Sequence, residues 1–429
     1  MNRDDLERLN KEELVEAYLA LQAKLQRPAK TSRTSSQPPS SDRKAKRSGS
    51  KPGGAKPGHK GHSRALSEHA DQTVAHRPAA CAKCGQAFAA DAQGRVIAEH
   101  ETVDLPPIRP IVTRHQRLAC TCGTCGHRTK AAPLVQGSPF GPNIQALALY
   151  LKHFQHVSYQ RLERLFSDIF GLKISQGGLG NVLRRSKPAL DAEKALILQN
   201  VRQADAVASD ETGVRIEGVN AQHWVFRTPD AGLHETAFSR GAQVVRNVMN
   251  GHRPGFWTSD RYGAQQGHAE HHQTCLAHLA RDIAYALEAS DDLAPFWLSR
   301  WMDDVFAFWR RLPGAAASTI AAKRRSFDDR IGVILMAQTT CDLTRKLLAK
   351  IARARDQLLT FMDAPRGLVE PTNNACERAL RPAVIARKVT NGFRSVWGAE
   401  ADAAVRSVVD TKALTGIGTY TAIRAVVTA

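Results

Sequence analysis

Three carboxylates in this chain stand where metal-assisted chemistry on phosphate esters would need them. Asp210 lies in Ala208-Ser209-Asp210-Glu211-Thr212, at the end of an apolar, strand-like run. Asp260 closes a second such run, Phe256-Trp257-Thr258-Ser259-Asp260, and Glu377 follows an Asn pair in Asn373-Asn374-Ala375-Cys376-Glu377-Arg378. Carboxylate oxygens suit Mg2+ or Mn2+, which keep open positions for water and phosphate. Two strand-end aspartates and a helix-borne glutamate can share two such ions, about 3.5–4 Å apart, that activate the attacking oxygen and stabilise the leaving oxygen of phosphoryl transfer. A single acidic residue is usually a solvated surface group, so the reading rests on the combination. Two rivals are nearby. Glu211 faces away from Asp210 if the strand continues, and Glu370 falls in a loop-like stretch.

The cysteines suggest a second chemistry. Cys81-Ala82-Lys83-Cys84 and Cys122-Gly123-Thr124-Cys125 are two CxxC knuckles with 37 residues between them, each followed by Gly. Four thiolates in tetrahedral array suit structural Zn2+. Cys120 is an alternative to Cys122, although only Cys122 makes the CxxC spacing with Cys125. A further cluster, His268, His271, His272, Cys275 and His278, admits a zinc hydrolase as an alternative. It lacks a His-Glu-x-x-His motif, and packing or hydrogen bonding is its expected role.

These groups must be positioned by a chain of 429 residues with a formal net charge of +19 and 42% hydrophobic residues. Such a length supports several domains, and such a charge calls for a polyanionic partner, above all nucleic acid. Residues 27–64 hold eleven Lys/Arg and one Asp. With no aliphatic core formers this stretch is expected to be a disordered basic linker, with Lys51, Lys56 and Lys60 available to phosphates. No apolar run approaches the roughly 18 residues of a membrane span, and the first residues lack the apolar core of a secretory signal. The chain is therefore expected in the cytosol with reduced cysteines and no membrane partner.

Six segments are expected. Residues 1–26 form an amphipathic or coiled-coil helix suited to self-association, 27–64 the linker, and 75–130 a small β-rich zinc module. Residues 140–195 are helical. Ser158 opens one helix, Gly171 turns the chain, and Ser175 caps the next, a pattern compatible with helix-turn-helix or a plain helical hairpin. Residues 203–400 carry the three acids, with a helical insertion at 276–363, and 401–429 form a C-terminal helical tail. Strands are expected at 205–210, 222–228 and 233–238, a helix near 240–250, and a helix carrying Glu377 that is capped by Asn373 or Asn374 and interrupted at Pro382. A strand ending in Asp, two strands, a helix, a strand ending in Asp and finally a helix with Glu is the order of a ribonuclease-H-like fold, in which the first and fourth strands are neighbours. The expected class is thus multidomain α+β with a ribonuclease-H-like α/β core.

Nearly end to end, the chain resembles transposases of the insertion sequence 66 family, within the DDE transposases. The resemblance is carried by Lys51-Pro52-Gly53-Gly54 and Gly58-His59-Lys60-Gly61-His62, the CxxC module, Ser209-Asp210-Glu211-Thr212, Ser259-Asp260-Arg261-Tyr262 and Cys275-Leu276-Ala277-His278-Leu279. Its most specific block is Asn373-Asn374-Ala375-Cys376-Glu377-Arg378-Ala379-Leu380-Arg381-Pro382, followed by Arg387-Lys388. It departs from common members at Thr372 and Leu276, neither of which is one of the acids. The resemblance implies that Asp210, Asp260 and Glu377 are catalytic and hold two Mg2+ or Mn2+ ions. It also implies a zinc-binding module that contacts DNA, and partners comprising transposon ends, target DNA, further copies of the chain and accessory proteins of the same element. A bacterial, nucleoid-associated location follows from the same resemblance. Arg378, Arg381, Arg387 and Lys388 are candidate phosphate contacts. A catalytically silent, transposase-derived DNA binder is the alternative of another class.

Overall fold

Residues 10–35, 42, 58–61, 64–132 and 138–428 are described by the computed structural model. Lys51 and Lys56 lie outside them, as do the first nine residues of the expected N-terminal helix.

The strands form where β-branched and aromatic residues alternate with polar ones. β1 (Ala119–Thr121) and β2 (Arg128–Lys130) make a small antiparallel pair. β3 (Ala206–Ile216), β4 (Val219–Arg227), β5 (Gly232–Ala237), β6 (Phe256–Ser259) and β7 (His271–Thr274) form one mixed sheet in the order β5-β4-β3-β6-β7. β3 pairs antiparallel with β4 and parallel with β6. Two expectations change here. β3 runs six residues past Asp210, because Glu217 and Gly218 take positive φ values of 54° and 80° and close a tight hairpin directly into β4. β7 was not expected, because His271-His272-Gln273-Thr274 has no apolar alternation; the parallel ladder with β6 makes it a strand.

Helices cover both faces of the sheet. α1 (Lys11–Gln26) opens with a reciprocal capping box, in which Asn10 N donates to Glu13 Oε2 at 2.8 Å and Glu13 N to Asn10 Oδ1 at 2.9 Å. Its Leu14, Tyr18, Leu21 and Leu25 are exposed. Part of the expected linker is folded: Tyr285 Oη donates to Pro28 O at 3.3 Å, Lys30 Nζ lies 5.0 Å from the Tyr285 ring, and Thr34 is buried.

α2 (Pro142–Leu149) continues into a π-helical turn. In α3 (Tyr159–Phe170), Ser158 is the N-cap and Gly171, at φ 62°, the left-handed C-cap. Ser175 caps α4 (Gln176–Gln203) by accepting from Gly178 N at 3.2 Å. The serine and glycine signals therefore work as their chemistry requires. α4 is 28 residues long, and its Leu190, Ile197 and Val201 enter the core beneath the sheet.

Val207, Trp224, Phe226 and Trp257 point to one face, against α4, α5 (Ala242–Met249) and α12 (Val396–Leu414). Each such aromatic removed from water stabilises the layer by about 2–3 kcal/mol. α12 spans the expected start of the tail, and its Ala399, Ala401, Ala403 and Ala404 are fully buried, small residues that let it lie close to its neighbours. Its Asp402 pairs with Arg406 at 2.6 Å and with His153 at 2.9 Å. Ala208 and Val225 point to the other face, against Cys376, Ala379 and Leu380 of α11 (Asn374–Thr390). α11 runs unbroken through Pro382, contrary to the expected interruption.

Between β7 and α11 the chain is helical, as expected for the insertion: α6 (Leu276–Ala289), α7 (Leu293–Trp309), α8 (Ala317–Leu335), α9 (Asp342–Arg353) and α10 (Thr360–Asp363) share a second core around Leu298, Trp301 and Phe327. α13 (Thr419–Thr428) ends the described chain.

Gly392 fixes the exit from α11. Its φ is +108°, and a Cβ there would stand 2.3 Å from Arg215 O, while Phe393 N donates to that same carbonyl at 2.8 Å. Gly392→Ala is therefore expected to lower stability by about 2–3 kcal/mol. A chemical-denaturation midpoint unchanged from wild type would refute this account of the clip.

Candidate active site

The parallel register pairs Ala206 with Phe256, Val207 with Trp257 and Ala208 with Thr258. Carried two residues further, it brings Asp210 level with Asp260. Side chains alternate along a strand, so both acids share the face of Ala208, where α11 lies. Glu377, in the first turn of α11, completes the group. Asn373 sits at the N-cap position, but its side chain makes no cap. Its Nδ2 donates to Ser209 O at 2.8 Å, and its backbone N donates to Cys275 Sγ at 3.1 Å. The Asn thus ties the start of α11 to the strand beside Asp210, which explains its place in the block better than capping does.

The site is strongly negative. Burial pushes the Asp210 carboxyl up to about 8, and the charges of Glu211, Asp260 and Glu377 add to that rise. From α6, His278 Nε2 lies 3.7 Å from Glu377 Oε1 and Arg281 NH2 3.6 Å from Glu377 Oε2. Burial lowers the His278 pKa, although Glu377 opposes it. Among the described residues, no three His, Cys, Asp or Glu side chains are gathered closely enough to hold a metal ion. The donor types nonetheless suit a hard divalent cation: Asp210 is close enough to Asp260 and Glu377 for their charges to add to the rise that burial gives its pKa, and a cation would relieve that repulsion.

Two family models match the chain: Transposase IS66 family over residues 137–401, and the zinc-finger binding domain of transposase IS66 over residues 78–126. The first spans more than half of the sequence. The chain belongs to the IS66 transposase family. No curated protein matches it. Membership implies a transposase that binds DNA, and the second match indicates structural zinc. No helix among the described residues is long and apolar enough to cross a membrane.

The zinc-finger region of this transposase has two knuckles of the same form. Cys81 N donates to Gln86 O and Gly85 N to Cys81 O, both at 2.9 Å; Cys122 N donates to His127 O and Gly126 N to Cys122 O, also at 2.9 Å. Gly85 and Gly126 both have φ 74°, a conformation that favours glycine. Backbone N–H groups of Cys84 and Lys83 lower the Cys81 thiol, and those of Cys125 and Thr124 bring Cys122 down to about 7. Each knuckle is thus prepared to present thiolate, although the two pairs are not gathered into one site. Cys120 lies in β1 opposite Thr129, outside the knuckle turn. The β content of residues 75–130 is smaller than expected: the β1–β2 pair and one isolated bridge, Ala80 to Ala87.

The histidine cluster is spread out. His268 Nε2 meets Ala264 O at 2.9 Å, His272 Nε2 meets Ser259 Oγ at 3.2 Å, and His271 packs on the Phe256 ring. Only His278 reaches the acids. Lys60, Arg378, Arg381 and Lys388 are exposed. Arg387 is half-buried and donates to Gly213 O, bracing α11 against β3. The sequence reading missed His278 and Arg281 as neighbours of Glu377, and it missed Arg240, which pairs with Glu211 at 2.6 Å. The Cys275-x-x-His278 element leading into α6 was visible; the partner of Arg240, 29 positions upstream, was not.

Proposed function

We propose that Asp210, Asp260 and Glu377 are the catalytic acids of a DDE transposase with a ribonuclease-H-like core, cutting transposon ends and joining them to target DNA. The observation that carries this reading is the β3–β6 register, which pairs Ala208 with Thr258 and, carried two residues further to just past the end of β6, sets Asp210 level with Asp260 on the face where the helix bearing Glu377 packs. The strand order β5-β4-β3-β6-β7 supports the same core.

In this reading water cleaves the phosphodiester at the transposon end, and the phosphorus–oxygen bond to the 3′-oxygen breaks to leave a 3′-hydroxyl. That hydroxyl then attacks a target phosphodiester in line and displaces its 3′-oxygen, with no covalent link to the protein. Two Mg2+ or Mn2+ ions would supply activation of the attacking oxygen and charge neutralisation at the leaving one. Asp210 and Asp260 would hold them from the sheet and Glu377 from α11. Arg281 and His278 orient the Glu377 carboxylate. Arg378, Arg381 and Lys388 on α11, with Lys60 and the Lys51 and Lys56 region, contact the phosphate backbone and set the salt dependence of binding. The helical hairpin α3–α4 and the zinc finger contribute further DNA contacts. Copies of the chain assemble on paired ends, with α1 as one self-association element and accessory proteins of the same element as further partners.

The test is cleavage of a labelled duplex ending in the element's terminal repeat. Mg2+ or Mn2+ should yield a nicked strand with a 3′-hydroxyl, and no product should form without either ion. Binding with no metal-dependent product under any condition would leave a DNA-binding protein and sink the catalytic reading.

A further inference from the structure

On the face of the sheet opposite Asp210, one residue further along the central strand β3, a second charged group is built. Glu211 follows Asp210 and points the other way. Its side chain is only 2% exposed, yet it carries a carboxylate whose pairing partner, Arg240, is 51% exposed. Arg240 Nε donates to Glu211 Oε1 at 2.7 Å, and its NH2 lies 2.6 Å from the same oxygen. The guanidinium lies over the Tyr262 ring, 4.0 Å from its centroid. Tyr262 is itself held at the acidic centre, its backbone N donating to Asp260 Oδ1 at 2.8 Å. Behind Glu211, Gln265 Nε2 donates to Oε2, Ser209 Oγ donates to Gln265 Oε1, and Trp257 Nε1 donates to Ser209 Oγ at 3.0 Å. A buried chain of hydrogen bonds thus fixes one edge of an arginine whose other edge faces solvent.

We infer that Arg240 is a phosphate clamp of this transposase, held beside the acidic centre by Glu211 and Tyr262 to grip DNA next to the scissile position. The inference rests on the proposed catalytic reading, because it places the clamp relative to Asp260. Three features support it. A guanidinium has five N–H donors in a fixed fork, and the Glu211 pairing engages only one oxygen on one edge, leaving the NH1 edge for a phosphate. Stacking on Tyr262 holds the plane, so little side-chain entropy is lost on binding. Arg240 also stands one residue before Gly241, the N-cap of α5, where no side chain caps the first turn, so the positive end of that helix is close by in the chain. Arg281 and His278 stand on the other face of the sheet. A strand crossing the carboxylates would therefore meet cations on both sides of them, which offsets the repulsion between its phosphates and the acids.

The experiment uses the full-length protein and a fluorescein-labelled random-sequence DNA duplex, titrated at several salt concentrations without added Mg2+ or Mn2+, so that binding is read apart from cleavage. Arg240→Gln is expected to weaken binding about tenfold and to lower the slope of log affinity against log salt by about 0.9, one phosphate contact. Arg240→Lys should retain the slope but lose part of the affinity, because an ammonium cannot stack and fork at once. If Glu211 is left as a buried unpaired charge, Arg240→Gln alone could misfold. The double variant Glu211→Gln/Arg240→Gln removes both charges, and it should fold and show the same reduced slope. Affinity and slope equal to wild type in that double variant would mean that Arg240 serves only to neutralise Glu211, and would overturn the clamp. Mn2+-dependent nicking of the terminal-repeat duplex is measured in parallel. Nicking by wild type together with unchanged binding by the Arg240 variants rejects the clamp alone; absence of nicking in wild type rejects the catalytic reading, on which the placement of the clamp depends.

Discussion

Asp210→Asn should make the metal-free protein more stable while abolishing DNA cleavage. The stability half follows from the position of Asp210. Burial and three neighbouring carboxylates raise its pKa from 3.8 to about 8. Between those values the folded state binds a proton that the unfolded state has released, so ionisation opposes folding. The sign is the reverse of the usual salt-bridged aspartate. The metal-free protein should therefore lose stability as pH rises from about 4 to about 8, and level off above that. The distance from 3.8 to about 8 sets a ceiling of about 6 kcal/mol; residual solvent contact at the half-buried carboxyl brings the expected gain on Asn substitution to on the order of 2–3 kcal/mol near pH 8. Denaturation of wild type and variant across this pH range measures it, and parallel curves would show that Asp210 is not strained in this way.

The activity half has the opposite sign. If the three acids hold the ions proposed above, removing one carboxylate should lower cleavage by roughly a hundred- to a thousandfold, because an ion that meets the developing charge loses its ligand. DNA binding should survive, since the cations that touch phosphate lie elsewhere. Asp260→Asn and Glu377→Gln should lose cleavage to a similar degree. Ion binding must displace the Asp210 proton, so apparent Mn2+ affinity should climb with pH until about 8 in wild type and lose that dependence in Asp210→Asn. A variant that becomes more stable yet still cuts would separate the two halves and remove Asp210 from the catalytic set.

Several parts of this arrangement were legible in the sequence because local chemistry decides them. Ser158, Gly171 and Ser175 end and begin helices by their own hydrogen bonds and conformations, and each does so at its expected place. The adjacency of the strands bearing Asp210 and Asp260 followed from element order. What escaped was set by tertiary pairing. His271-His272-Gln273-Thr274 is a strand only because β6 lies beside it. Pro382 passes inside α11, although a proline lacks the N–H that a helix interior uses. Asn373 reads as a cap, yet it spends its amide on Ser209, 164 positions away in the chain. Arg387 reads as a phosphate ligand, and its NH1 donates to Gly213 O of β3, a contact the sequence does not reveal. Glu211 was expected to point away from Asp210, and alternation alone could not reveal that Arg240 pairs with it there.

The second large effect should come from zinc, and it should stop at the boundary of the finger. Among residues 64–132 none of those described is buried, and Phe88, Ile97, Leu105, Ile111 and Val112 are all exposed. A segment without a core lacks the hydrophobic burial that normally offsets chain entropy. What it does have is two matching knuckles with thiols inclined to ionise. If Cys81, Cys84, Cys122 and Cys125 close on one Zn2+, the ion brings the knuckles together and supplies the folding free energy, roughly 10–16 kcal/mol in isolated zinc-finger peptides near neutral pH. Chelation should then expose residues 75–130 to protease and hydrogen exchange, while the sheet and its helices, with their own cores around Trp257 and Trp301, stay protected. Cys84→Ser and Cys125→Ser should each lose the bound zinc. Cys120→Ser should retain it, because Cys120 sits in β1 rather than in a knuckle turn. Zinc retained by Cys125→Ser, or lost in Cys120→Ser, would reassign the fourth ligand. Collapse of the whole protein on chelation would show instead that the finger is built into the catalytic fold.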